Sequence, residues 1–66
     1  MSKFSENIKF YRKSLNFTQQ QLADKLGLVR TTITSYENER NEPDTKMLIK
    51  LADIFDISLD ELVGRE

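Results

Sequence analysis

Four polar residues, Arg30, Thr31, Thr34 and Ser35, carry most of the recognition chemistry this chain has to offer. On a helix advancing about 100° per residue, Val29, Ile33 and Tyr36 fall on one stripe. Thr31 then points almost opposite that stripe, with Thr34 and Ser35 beside it and Arg30 at its flank. The outward face is short, polar and free of acid, and such a face can lie in a groove of DNA. Catalysis has much less to work with. The chain has no cysteine and no histidine, so the thiolate nucleophile, the usual proton shuttle and the commonest metal ligand are all missing. No paired carboxylates stand in an apolar setting that would suit acid–base work. The expectation is a protein that is not an enzyme and uses no cofactor or metal, with no small-molecule ligand evident.

The spacing from Gln19 to Glu39 sets the elements that must hold this face. Counting from Gln19, the small Ala23 comes fifth, Gly27 ninth and the β-branched Ile33 fifteenth. Leu22, Leu26, Leu28 and Tyr36 fill the fourth, eighth, tenth and eighteenth places. Two helices joined at a steep angle by a short turn bring their backbones close, and Ala23 is small enough to allow it. Gly27 can take the positive φ that the turn after Leu26 needs. Ile33 is the plug from the second helix into the gap beside Ala23.

Sixty-six residues make one small domain, 1–66, near the size where a single core is marginal. The lack of cysteine suits a reducing, cytoplasmic setting. No apolar run approaches the roughly 20 residues of a membrane span, and no signal-peptide pattern opens the chain. A net charge of −1 does not look like that of a nucleic-acid binder, but the charge is unevenly spread. Through Arg40, seven basic residues face four acidic ones, a balance of +3; from Asn41 onward three face seven, a balance of −4. The basic half holds the polar face.

The remaining elements follow from caps and stripes. Ser2 is a candidate cap for a first helix whose stripe is Phe4, Ile8, Tyr11 and Leu15. Phe10 lies off its centre, as an edge contact or an exposed aromatic. Thr18 and Gln21 form a capping box for the second helix, with Phe17 and Leu22 at the staple positions. The third helix spans about Arg30 to Glu37, with Asn38 as its left-handed end residue. Pro43 marks a loop. Asp44 caps a fourth helix striped by Leu48, Leu51, Ala52 and Phe55. Met47, Ile49 and Ile54 widen that surface, as for a surrounded helix or a partner face. Ser58 and Glu61 box a short fifth helix, Leu59 to Val63, that ends at Gly64.

The motif spacing, the loop from Tyr36-Glu37-Asn38 to Pro43-Asp44 and the closing Leu51-Ala52 and Ile57-Ser58-Leu59-Asp60-Glu61-Leu62 together resemble the phage repressor/Cro (XRE) helix-turn-helix family. The resemblance implies an all-α, compact five-helix, lambda-repressor-like domain whose helices 2 and 3 form the helix-turn-helix. It implies a bacterial cytoplasm or nucleoid, double-stranded DNA as partner and a homodimer. Residue by residue, Arg30, Thr31, Thr34 and Ser35 match the face that reads bases. Arg30 leads, because a guanidinium can donate twice to a guanine edge. Thr18, Gln19, Thr32, Asn38 and Arg40 match contacts to the DNA backbone. Arg12 matches a first-helix arginine that pairs with a glutamate ending the recognition helix, here Glu37. The helical count sets Glu37 roughly 70° from the buried stripe, as a half-buried carboxylate in need of a partner. Met47, Ile54, Leu59 and Val63 match the dimer contact.

Two positions depart from the family. Val29 replaces the usual serine or threonine cap, at a cost of roughly 1 kcal/mol unless packing on Ile33 or a thymine methyl compensates. Glu39 stands where glycine is common, and puts a carboxylate near the expected phosphate path. The implied function is a sequence-specific transcriptional regulator of repressor type, with one recognition helix per half-site in successive major grooves about 34 Å apart. The alternative is an antitoxin-like or anti-repressor interaction module on the same scaffold, which the net acidity and Glu39 favour.

Overall fold

The computed structural model describes residues 3–64. Five helices follow in order: α1 (Lys3–Ser14), α2 (Gln19–Leu26), α3 (Arg30–Glu37), α4 (Thr45–Phe55) and α5 (Leu59–Val63). No strand occurs among the described residues. The expected all-α architecture is therefore the observed one, including the spans of α3 and α5.

Local chemistry starts most of these helices. The Gln21 N–H donates to Thr18 Oγ1 at 3.0 Å, while the Thr18 N–H donates to Gln21 Oε1 at 2.8 Å. Ser58 and Glu61 repeat that box at the start of α5, both bonds at 3.0 Å. The Met47 N–H donates to Asp44 Oδ1 at 2.9 Å, which caps α4. Each such bond occupies a donor that the helix itself leaves unpaired. Val29 has cap geometry (φ −89°, ψ 155°) but no side-chain bond to offer α3. The candidate cap Ser2 lies outside the described residues.

One device ends the first four helices. Asn16, Gly27, Glu39 and Asp56 all sit at positive φ, between 56° and 71°. In each case the next N–H reaches back five residues: Phe17 to the Arg12 carbonyl, Leu28 to Ala23, Arg40 to Ser35 and Ile57 to Ala52, at 2.8–3.0 Å. This is the Schellman arrangement, which satisfies a carbonyl orphaned by the helix end. A Cβ built on Gly27 would meet nothing within 4 Å, so its φ of +71°, and not crowding, calls for glycine. The expectation for Asn38 is corrected: its φ is −100°, and the left-handed residue is Glu39. That backbone demand supplies a physical reason for glycine at the position Glu39 occupies.

The core gathers apolar residues from all five helices, with Ile8, Leu22, Ala23, Ile33, Leu51 and Leu62 fully buried. Ala23 and Ile33 both reach 0% exposure, as expected for the close contact of α2 and α3. Two stripe assignments fail at helix ends. Leu15 is exposed because α1 stops at Ser14 and the chain reverses through Asn16. Val29 is 64% exposed because it is extended and precedes the helix, so the 100° count does not apply to it. With Val29 this exposed, packing recovers little of its missing cap. On α4, Leu51, Ala52 and Phe55 are buried, while Met47, Leu48 and Ile54 pack partly against the core and Ile49 is exposed. The Asn7 amide donates to the Glu61 and Leu62 carbonyls, both at 3.1 Å, and ties α1 to α5.

Candidate nucleic-acid interface

The polar face of α3 rests on a buried network that joins three helices. Arg12 on α1 donates through Nε to Glu37 Oε2 at 2.6 Å and through Nη2 to Glu37 Oε1 at 3.3 Å. Its Nη1 donates to the Phe17 carbonyl at 2.7 Å. The side chains of Arg12 and Glu37 keep only 10% and 2% of their surface. Glu37 is thus more deeply buried than the half-buried carboxylate expected, and the expected partner holds it. Two parallel donations to one carboxylate make the strong, orienting form of an ion pair.

Gln19 extends this network to α2. Its Nε2 donates to Glu37 Oε1 at 3.0 Å. Thr34 Oγ1 lies 3.2 Å from both Gln19 Oε1 and the Arg30 carbonyl, so its single proton has two acceptors inside the protein. Both ends of the Gln19 amide and the Thr34 hydroxyl are engaged within the domain. No buried side-chain polar atom among the described residues lacks a partner. Periodicity could not reveal the Gln19–Glu37 bond or the Phe17 acceptor, since both lie outside the repeating pattern of any one helix.

The structure sorts the remaining site residues by exposure. Arg30 and Thr31 are exposed at the start of α3, and Thr32, Thr34 and Ser35 are half-buried. Asn38 and Arg40 are exposed just beyond the helix, on either side of Glu39. Thr18 is exposed, though its hydroxyl is already used in the capping box. Val29 adds an exposed apolar side chain next to Arg30. Behind the face, burial and then the nearby Asp44 carboxylate raise the Tyr36 phenol above its ordinary 10.0. Of the residues expected at a dimer contact, Met47, Ile54 and Val63 are half-buried and Leu59 is 42% exposed.

A helix-turn-helix family model matches residues 8–62, which includes α2, α3 and the whole buried network. The chain belongs to the helix-turn-helix family of the phage repressor/Cro type. Among its relatives is the uncharacterized HTH-type transcriptional regulator YqaE of Bacillus subtilis, 51% identical over 96% of this chain and 54% of its own length. The cryptic phage CTXphi transcriptional repressor RstR of Vibrio cholerae is 41% identical over 96% of this chain and 56% of its own. The chain therefore spans about half the length of these curated relatives. A solved structure of the P22 c2 repressor with a synthetic operator superposes with a TM-score of 0.89 at 26% identity, covering 100% of both chains. Within this helix-turn-helix, the Arg12–Glu37–Gln19 network ties α2 and α3 to each other and to α1. No described helix is long and apolar enough to cross a membrane.

Proposed function

We propose that this chain is the duplex-DNA-binding part of a sequence-specific transcriptional regulator of repressor type. In this reading α3 enters the major groove and presents Arg30, Thr31 and Ser35 to base edges. Thr34 steadies them from the inner side through Gln19. Thr18, Thr32, Asn38 and Arg40 line the flanking phosphates, and Gln19 joins them through its main-chain N–H at the start of α2, its amide being held inside the domain. The observation that carries the reading is the acid-free face of α3 held rigid by the buried Arg12–Glu37–Gln19 network. A reading site must hold its donors in place, and side chains on a locked helix do so with little loss of order on binding.

A single helix reads only a few base pairs, which gives poor discrimination against a large excess of competing sites. The chain therefore works as a homodimer, with Met47, Ile54, Leu59 and Val63 at the contact. The exposed Leu59 and the part-buried Met47 and Ile54 support that choice. Selection of bound sequences from a random duplex library tests the whole reading. Two related half-sites about 34 Å apart are expected, with affinity falling steeply as salt rises. Recovery of no preferred sequence, even at low salt, would refute it.

A further inference from the structure

We infer that Lys9 and Lys13 form an additional DNA-phosphate site on α1, an inference that rests on the DNA-binding reading above. The two lysines are one helical turn apart, so they share a face of α1. Both are exposed. Neither is held in an ion pair among the described residues. With Ser5, Glu6 and Phe10 they line a cleft whose far wall is Glu37, the last residue of α3. Glu37 accepts a hydrogen bond from Gln19, the first residue of α2, and is followed by Asn38. The cleft is thus bounded by the residue that joins the two proposed backbone grips.

Its electrostatics suit a phosphate. The Glu37 carboxylate is already neutralised by Arg12 and turned inward. Glu6 is the acid that remains, against two lysines. Phe10 is 64% exposed, yet its ring is braced edge-on against Tyr11 at 5.2 Å, and Tyr11 stacks on Phe55 at 5.7 Å. A fixed apolar wall beside like charges excludes water and focuses their field. This gives a use to an exposed aromatic that the core does not need. The site reads no base, so its contribution is affinity and placement on the duplex.

The test measures how affinity for the selected duplex depends on salt, from about 50 to 200 mM. The chains compared are wild type, Lys9→Ala, Lys13→Ala, their double variant and Lys50→Ala, whose lysine is exposed on α4 and does not line the cleft. Each cleft substitution is expected to reduce the slope of log affinity against log salt by about 0.9, with the order of preferred sequences unchanged. Lys50→Ala is expected to keep the wild-type slope, and Glu6→Gln to bind more tightly. A double variant with the wild-type slope would overturn the inference alone, and is also what a protein-docking role for the cleft predicts. A wild-type chain that binds no duplex at low salt would overturn the inference and the proposed function together.

Discussion

Replacing Arg12 with alanine is expected to remove about 3–5 kcal/mol of folding stability. The size follows from what stays behind. Glu37 keeps 2% of its side-chain surface, so its carboxylate would be left buried with Gln19 as its remaining side-chain donor. The Phe17 carbonyl would lose its guanidinium donor as well. A chain of 66 residues has roughly 3–10 kcal/mol of stability in total. The substitution should therefore leave a large part of the population unfolded. Arg12→Lys keeps the charge but not the paired donation, and should fall between alanine and wild type. Arg12→Met combined with Glu37→Met removes both charges in near-equal volume and should cost less than the sum of the single changes, by about 2 kcal/mol. Urea unfolding followed by circular dichroism measures these variants, both single methionine changes and wild type, with an osmolyte added where the native state is scarce. A loss below about 1 kcal/mol in Arg12→Ala is the behaviour of a solvent-exposed pair and would refute the reasoning.

Two further changes probe single features. Val29→Ser should stabilise the domain by about 0.5–1 kcal/mol, because the backbone already has cap geometry and lacks only the acceptor; an unchanged melting temperature would contradict this. Tyr36→Phe should change how stability responds to alkaline pH. The folded state holds the Tyr36 proton more tightly than the unfolded state, so the native phenol contributes stability below the ordinary value of 10.0 that is lost as pH rises through the raised folded one. The urea midpoint should fall less steeply above about pH 10 in the phenylalanine variant than in wild type, and parallel curves would count against burial of the phenol.

What could be read from the sequence divides along a physical line. Signals within one turn of chain were legible: the Thr18–Gln21 and Ser58–Glu61 boxes, the Asp44 cap and the Gly27 turn are set by neighbours three or four residues apart. Interior periodicity was legible too, since Phe4, Ile8, Leu22, Ile33 and Leu51 are all buried. The misplacements of Leu15 and Val29 share one cause. Each lies just outside the helix whose period would place it, and a period has no meaning past the last hydrogen-bonded turn. Asparagine tolerates the left-handed conformation, so local preference favours Asn38, whereas the chain uses Glu39 one step later. There the ladder from Arg40 back to Ser35 outweighs the preference of one side chain.

The outer side of the candidate site follows from local pattern, and its inner side does not. Arg30 and Thr31 stand out because a polar, acid-free stretch opposite an apolar stripe is a local pattern. Gln19 looks, from local pattern, like one more outward donor at a helix start. Its amide instead bridges Glu37 and Thr34, 18 and 15 residues away, and no rule of neighbours contains those separations. Pairing Arg12 with Glu37 across 25 residues came from family resemblance, and the structure supplies the reason the pair exists. Once α3 packs its Ile33 against Ala23, Glu37 follows one turn later on the helix and is carried into the interior. A buried carboxylate must then be matched, and Arg12 and Gln19 are the donors within reach. The orientation of α3 is therefore set by a charge balance inside the domain, and its outer residues can change without disturbing it. On the proposed reading, a new DNA sequence is reached by altering Arg30, Thr31 or Ser35 alone, whereas altering Gln19 changes how the whole face is held.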